Sequence, residues 1–263
     1  MNLLRALALL VAVPAFAQTW NSNAGGWNTG YGTVYGSFGL AMATQNIYTS
    51  TQQNIQRAMM RQAMIQKFGL AAVEKAEREA KQGKKSTAPA GLEVAPPPPP
   101  AKNLGVFKPG KSSVPKQLGD AIGSTPDEKA AIAQLAAATK EAFESQPETQ
   151  AWKNNVAGAF AFFIIGNLTI ATDAPEPSDE TSQALFRAIN QSLDETPEFA
   201  KASAKDKQQL YELLIGFTGL PLAIYTEGKE RGDAEQVKQA RQVAAQLLQL
   251  VLKVDAAQVK LPN

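Results

Sequence analysis

A chain without histidine or cysteine must draw any chemistry from serine, lysine and the carboxylates. Ser-His-Asp and Cys-His triads, histidine-ligated zinc and the usual neutral-pH proton shuttle all need side chains that are missing. Paired carboxylates remain for general acid and base work, but they must face each other at fixed separation in a cleft. The sequence offers Asp194-Glu195 and Glu227 with Glu230, pairs whose spacing reads as helix surface. Ser203 and Lys207, one helical turn apart, have the makings of a histidine-free nucleophile and base. Ser203, however, stands where a helix needs an N-cap. Asp173, Glu176, Asp179 and Glu180 put four carboxylates within eight residues. They lack the alternating ligands and the glycine of a calcium loop, and negative charge is what a helix start favours.

Amides are the other polar candidates. Asn154 and Asn155 precede a long apolar stretch and Asn167 lies inside it, where a buried amide must find hydrogen-bond partners. Asn167-Leu168-Thr169 and Asn190-Gln191-Ser192 match a glycosylation sequon formally, but both fall in expected helices, whereas that acceptor belongs in surface loops. On these grounds no catalytic, cofactor-binding or metal-binding residue is assigned. The balance leans away from an enzyme.

The elements that must position such groups are organised around Val156 to Ala171, apolar through Phe160, Phe162, Phe163, Ile164, Ile165, Leu168 and Ile170. As a helix it covers about 24 Å, at about 1.5 Å per residue, short of the roughly 30 Å hydrocarbon core of a bilayer. It is therefore predicted to be the central, fully surrounded helix of a bundle. Capping signals delimit the helices around it: Thr125 with Pro126 and Glu128, Ser178 before Asp179, Thr196-Pro197, Ser203 with Asp206, and Asp233 with Gln236. Gly232 is a natural stop, and Pro221 is expected to kink the helix that contains it. The fold class is all-α, a compact bundle of about five helices over residues 125–263.

Upstream, the organisation changes. Residues 1–17 read as a signal peptide, with Arg5, an apolar run from Ala6 to Val13, and Ala15-Phe16-Ala17 before a cut at Ala17/Gln18. The expectation is an exported protein, periplasmic or extracellular, with no transmembrane span in the mature chain. Residues 18–40 form a Gly- and aromatic-rich leader without a charged side chain. Residues 41–82 contain no proline and one glycine, Gly69, and are rich in helix formers, which predicts one long exposed helix. Residues 83–124, with five consecutive prolines from Pro96 to Pro100, read as a semi-rigid linker.

The absence of cysteine excludes a lipid-anchored lipoprotein, thiol catalysis and disulfides, so packing alone must hold the fold. Charge divides the chain. Residues 18–124 carry 12 Lys and Arg against 5 Asp and Glu, whereas residues 125–263 carry 13 against 19. This points to a secreted or envelope-associated interaction module, whose basic arm 41–124 meets an envelope protein or an anionic surface; nucleic acid is not an expected partner. The other class left open is a histidine-free carboxylate hydrolase acting on envelope material.

Phe107-Lys108-Pro109, the stretch Val156-Ala157-Gly158-Ala159-Phe160-Ala161-Phe162-Phe163, Arg231-Gly232-Asp233 and Val254-Asp255 together resemble a family of exported bacterial helical proteins known only as a domain of unknown function. The resemblance spans residues 104–261 and implies a fold without implying chemistry. Members of that family carry an acidic residue entering the central helix, where this chain has Asn155 and Gly158. A role tied to that acid is not implied here.

Overall fold

The computed structural model describes residues 41–83, 89, 91–92, 101–146, 149–259 and 261. The segment read as a signal peptide, the aromatic leader and the proline run lie outside them. The described residues form helices and no strands: α1 (Ala41–Phe68), α2 (Leu70–Lys81), α3 (Val114–Ile122), α4 (Pro126–Ser145), α5 (Val156–Thr172), α6 (Asp179–Asp194), α7 (Pro197–Lys201), α8 (Ala204–Arg231), α9 (Ala234–Leu252) and a final 3-10 turn, Ala256–Gln258.

Helix α5 is the hub. Its apolar residues are buried all round, and α6, α8 and α9 pack against it. The helix begins at Val156, after a turn through Trp152. Asn155 fixes that start, its Oδ1 accepting from the Ala157 N–H at 2.9 Å. Gly158, in the first turn, lets Trp152 lie directly over the backbone: a Cβ there would come within 2.3–2.6 Å of Trp152, including its main chain. At the far end Asp173 takes the left-handed conformation, φ 55°, and closes the helix. No helix among the described residues is long and apolar enough to cross a membrane.

Local signals set the surrounding boundaries. The Thr125–Glu128 and Ser203–Asp206 capping boxes are both formed, Ser178 accepts from the Thr181 N–H, and the Asp233 side chain accepts from Glu235 and Gln236. Such caps are each worth about 1 kcal/mol. Helix α8 runs unbroken from Ala204 to Arg231 with Pro221 inside it, forfeiting one intrahelical hydrogen bond there.

Two expectations about the N-terminal half change. The single helix over 41–82 is two helices, because Gly69 has φ 84° and ψ 151°, a region essentially restricted to glycine. The chain folds back there, so that Arg61 meets Glu77 in a two-pronged pair at 2.6 and 3.1 Å. Val73, Ala76 and Leu92 form a small core of their own between the arms, with Met64, Ile65, Phe68 and Ala72 around it. The hairpin is seated on the bundle through the middle of α1: Ile55 enters the main core, and Thr51 and Asn54 both donate to the Ser192 Oγ, at 3.0 and 3.2 Å.

The linker read over 83–124 is also shorter than expected, because its second half, from residue 101 on, belongs to the bundle. Val114 and Leu118 of α3 are buried against the main core. Upstream of α3 the Val156 N–H donates to Gly105 O and the Phe107 N–H to Asn154 O, each at 3.0 Å. Phe107 sets its ring edge-on to Tyr211 at 5.2 Å. Residues 101–113 are thus a strap laid over the bundle, not a spacer.

Candidate functional site

The candidates singled out in the sequence are mostly occupied by structural duties. Ser203 donates to Asp206 at 2.7 Å and caps α8, while Lys207 lies over the Phe199 ring instead. Glu227 pairs with Arg231 at 2.7 Å and accepts from Gln236 at 3.1 Å. Asn167 donates to Phe163 O at 2.9 Å and lies 3.5 Å from the Thr218 hydroxyl. Fully buried, it is out of reach of a glycosyltransferase.

Asp194 and Glu195 take different partners. Asp194 accepts the backbone N–H groups of Lys102, Asn103 and Leu104, at 2.6, 3.2 and 2.8 Å. Three such donors converging on one carboxylate pin the strap to the end of α6. Glu195 accepts from Gln191 at 3.1 Å. The strap, α6 and α7 enclose a cleft of about 780 Å³. Leu104, Phe186 and Pro197 supply apolar surface, and Asn103, Asn190 and Gln191 supply amides. Phe186 stacks on the buried Trp152, ring centroids 5.7 Å apart.

A second polar cluster was not singled out from the sequence. Glu212, with its side chain 2 % exposed, accepts from Lys140 at 2.8 Å, from Gln208 at 3.0 Å and from the Ser112 hydroxyl. Lys140 also lies 4.0 Å from Glu144, which accepts from the Tyr211 hydroxyl at 3.0 Å. Burial and the Glu144 carboxylate hold the Tyr211 phenol far above its ordinary pKa, so it stays protonated and donates. The signal available was a lone acid inside the apolar run Leu210-Tyr211-Glu212-Leu213-Leu214, since an acid buried there must be paired.

The acidic run 173–180 splits between two tasks. Asp179 and Glu180 fill the first turn of α6, while Asp173 accepts from the Tyr225 hydroxyl and pairs with Lys229 at 2.9 Å. The Tyr225 hydrogen bond, then Lys229, holds the Asp173 carboxyl below its ordinary value. A carboxyl depressed in the folded state stabilises above its unfolded pKa, about 3.9, and that stability is lost as pH falls through the lower folded value. Urea midpoints of wild type and Asp173→Asn should therefore differ at pH 6 and converge as pH is lowered through that window. A gap unchanged down to the acid limit would contradict the assignment.

The sequence motifs carrying the family resemblance all serve the fold. Phe107 packs on Tyr211, Gly158 admits Trp152, Gly232 ends α8 in the left-handed conformation, Asp233 caps α9 and Asp255 caps the final turn. No curated protein matches the chain, and no solved structure does. A family model, described as "Family of unknown function (DUF6683)", matches residues 1–263, further in both directions than the 104–261 on which the resemblance rested. The chain belongs to that family.

Proposed function

We propose that the protein is a non-enzymatic, exported interaction module whose contact arm is the α1–α2 hairpin, directed at an anionic component of the cell envelope. The observation that carries this reading is the hairpin's construction. Its small core is separate from the main one, and Thr51, Asn54 and Ile55, which seat it on the bundle, lie near the middle of α1, ahead of the turn at Gly69. The rest of the hairpin is held out as a surface element.

Charge supports the same reading. Between residues 41 and 83 stand Arg57, Arg61, Lys67, Lys75, Arg78 and Lys81 against Glu74, Glu77 and Glu79. Arg61 and Lys75 are paired with Glu77 and Glu79, whereas Lys67 and Lys81 are exposed with no ion pair among the described residues. Each Lys or Arg near an anionic surface contributes about 1 kcal/mol, falling off within a Debye length. A carboxylate hydrolase would need two acids free to act, but Asp194 and Glu212 each already accept three hydrogen bonds.

Binding of the chain from Gln18 onward to vesicles with and without anionic lipid, across a salt series, tests the proposal. Binding should require anionic lipid, weaken as salt rises, and fall at least about tenfold in Lys67→Glu/Lys81→Glu, given about 1 kcal/mol per charge. Equal binding to zwitterionic vesicles, or none at low salt, would overturn it.

A further inference from the structure

The cleft beside α6 differs from the hairpin in kind: it is concave, mixed in polarity and unfinished in its hydrogen bonding. Asn190, 6 % exposed, lines it and donates from Nδ2 to Asn103 Oδ1 at 3.0 Å, but its own Oδ1 has no hydrogen-bond partner among the described residues. The nearby indole donor, Trp152 Nε1, is also buried without a partner among the described residues. Buried side-chain polar atoms are overwhelmingly satisfied in folded proteins, and each orphan costs the molecule stability. Here an orphan acceptor and an orphan donor flank one residue: Asn190 follows Phe186 by one helical turn, and Trp152 stacks on the Phe186 ring. Phe186 is itself only half buried and forms part of the cleft wall.

The remaining lining narrows the ligand. Lys102 and Arg187 balance Asp194 and Glu195 in sign, so the cleft presents no field of one charge and does not suit a polyanion. Asp194 is saturated by the strap and takes no further role. What remains is apolar surface from Leu104, Phe186 and Pro197 beside side-chain amides, in a volume within the range of roughly 300–1,000 Å³ that ligand sites occupy. Alternating apolar groups and amides, each amide with one donor and one acceptor, describe a polypeptide backbone with its side chains.

We infer that this cleft binds a short extended peptide, a backbone N–H of which donates to Asn190 Oδ1 while an apolar side chain rests on Phe186. The site uses none of the hairpin residues and goes beyond the surface reading given above. Because the amide oxygen is buried, the peptide enters with a small shift of Phe186, and Trp152, stacked on that ring, reports the event.

Selection of a displayed random heptapeptide library on the full chain tests the inference. Affinities are then read from the fluorescence of Trp152 in a Trp20→Phe/Trp27→Phe background. Enriched peptides should change that emission saturably. They should bind Asn190→Leu at least about tenfold more weakly, the loss expected when a buried hydrogen bond is left unmade. Should Asn190→Leu fail to fold, ester analogues that remove one backbone N–H at a time make the same test on wild type. One position should lose about tenfold. No enriched peptide, or peptides that bind the variant or every ester equally well, would overturn the inference. Vesicle binding is read separately and leaves the two outcomes distinguishable.

Discussion

Phe162→Ala should lose about 3–5 kcal/mol of stability, the usual cost of truncating a fully buried aromatic ring. Phe162 sits in the middle of α5 with no exposed surface and packs its ring against Phe143 at 4.9 Å. Helices α6, α8 and α9 close over the same helix, so little can move inward to fill the void. Against a total stability of about 5–15 kcal/mol for a domain, the variant stands at the margin of folding. Denaturant titration by circular dichroism should show the midpoint fall with little change in slope. Phe186→Ala provides the comparison, because that ring is half exposed at the cleft and should cost clearly less. Equal losses for the two variants would mean that α5 is not the centre of the packing.

Much of the bundle was legible in the sequence because its signals are local. A capping box needs only four residues, so Thr125–Glu128 and Ser203–Asp206 could be placed without knowing what the helices touch. The unbroken apolarity of α5 likewise announces a surrounded helix. What could not be read depends on partners distant in sequence. The strap at 101–113 has linker composition, and it is ordered by Asp194, some 90 residues away, and by Asn154 and Gln208. Gly69 was visible as the lone glycine of a helical stretch; that it reverses the chain follows from the Arg61–Glu77 pair and the small core between the arms. Asn190 was visible only as part of a sequon, and its role in the cleft wall comes from α6 lying beside the strap.

Glu212 carries the second large effect, and it separates a structural use of buried charge from a catalytic one. Its carboxylate ties α8 to α4 through Lys140 and to the strap through Ser112, while its neighbour Gln208 bonds both the N–H and the carbonyl of Gly110. Removing one partner of a buried pair costs about 3–5 kcal/mol, whereas replacing both with apolar residues is often neutral or better. Because the Lys140 side chain is 28 % exposed and retains Glu144, water relieves part of the loss, and Glu212→Ala should cost about 3 kcal/mol, at the lower end of that range. The double variant Lys140→Met/Glu212→Met should recover most of it. A double-mutant cycle on urea midpoints checks both figures. A double variant as unstable as Glu212→Ala would show that the charge pair is not what holds these segments together. Recovery with the fold intact would show that the only buried carboxylate paired with a lysine among the described residues is dispensable once its space is filled. A group used as a strut can be exchanged for an apolar one in this way; a group used for proton transfer cannot.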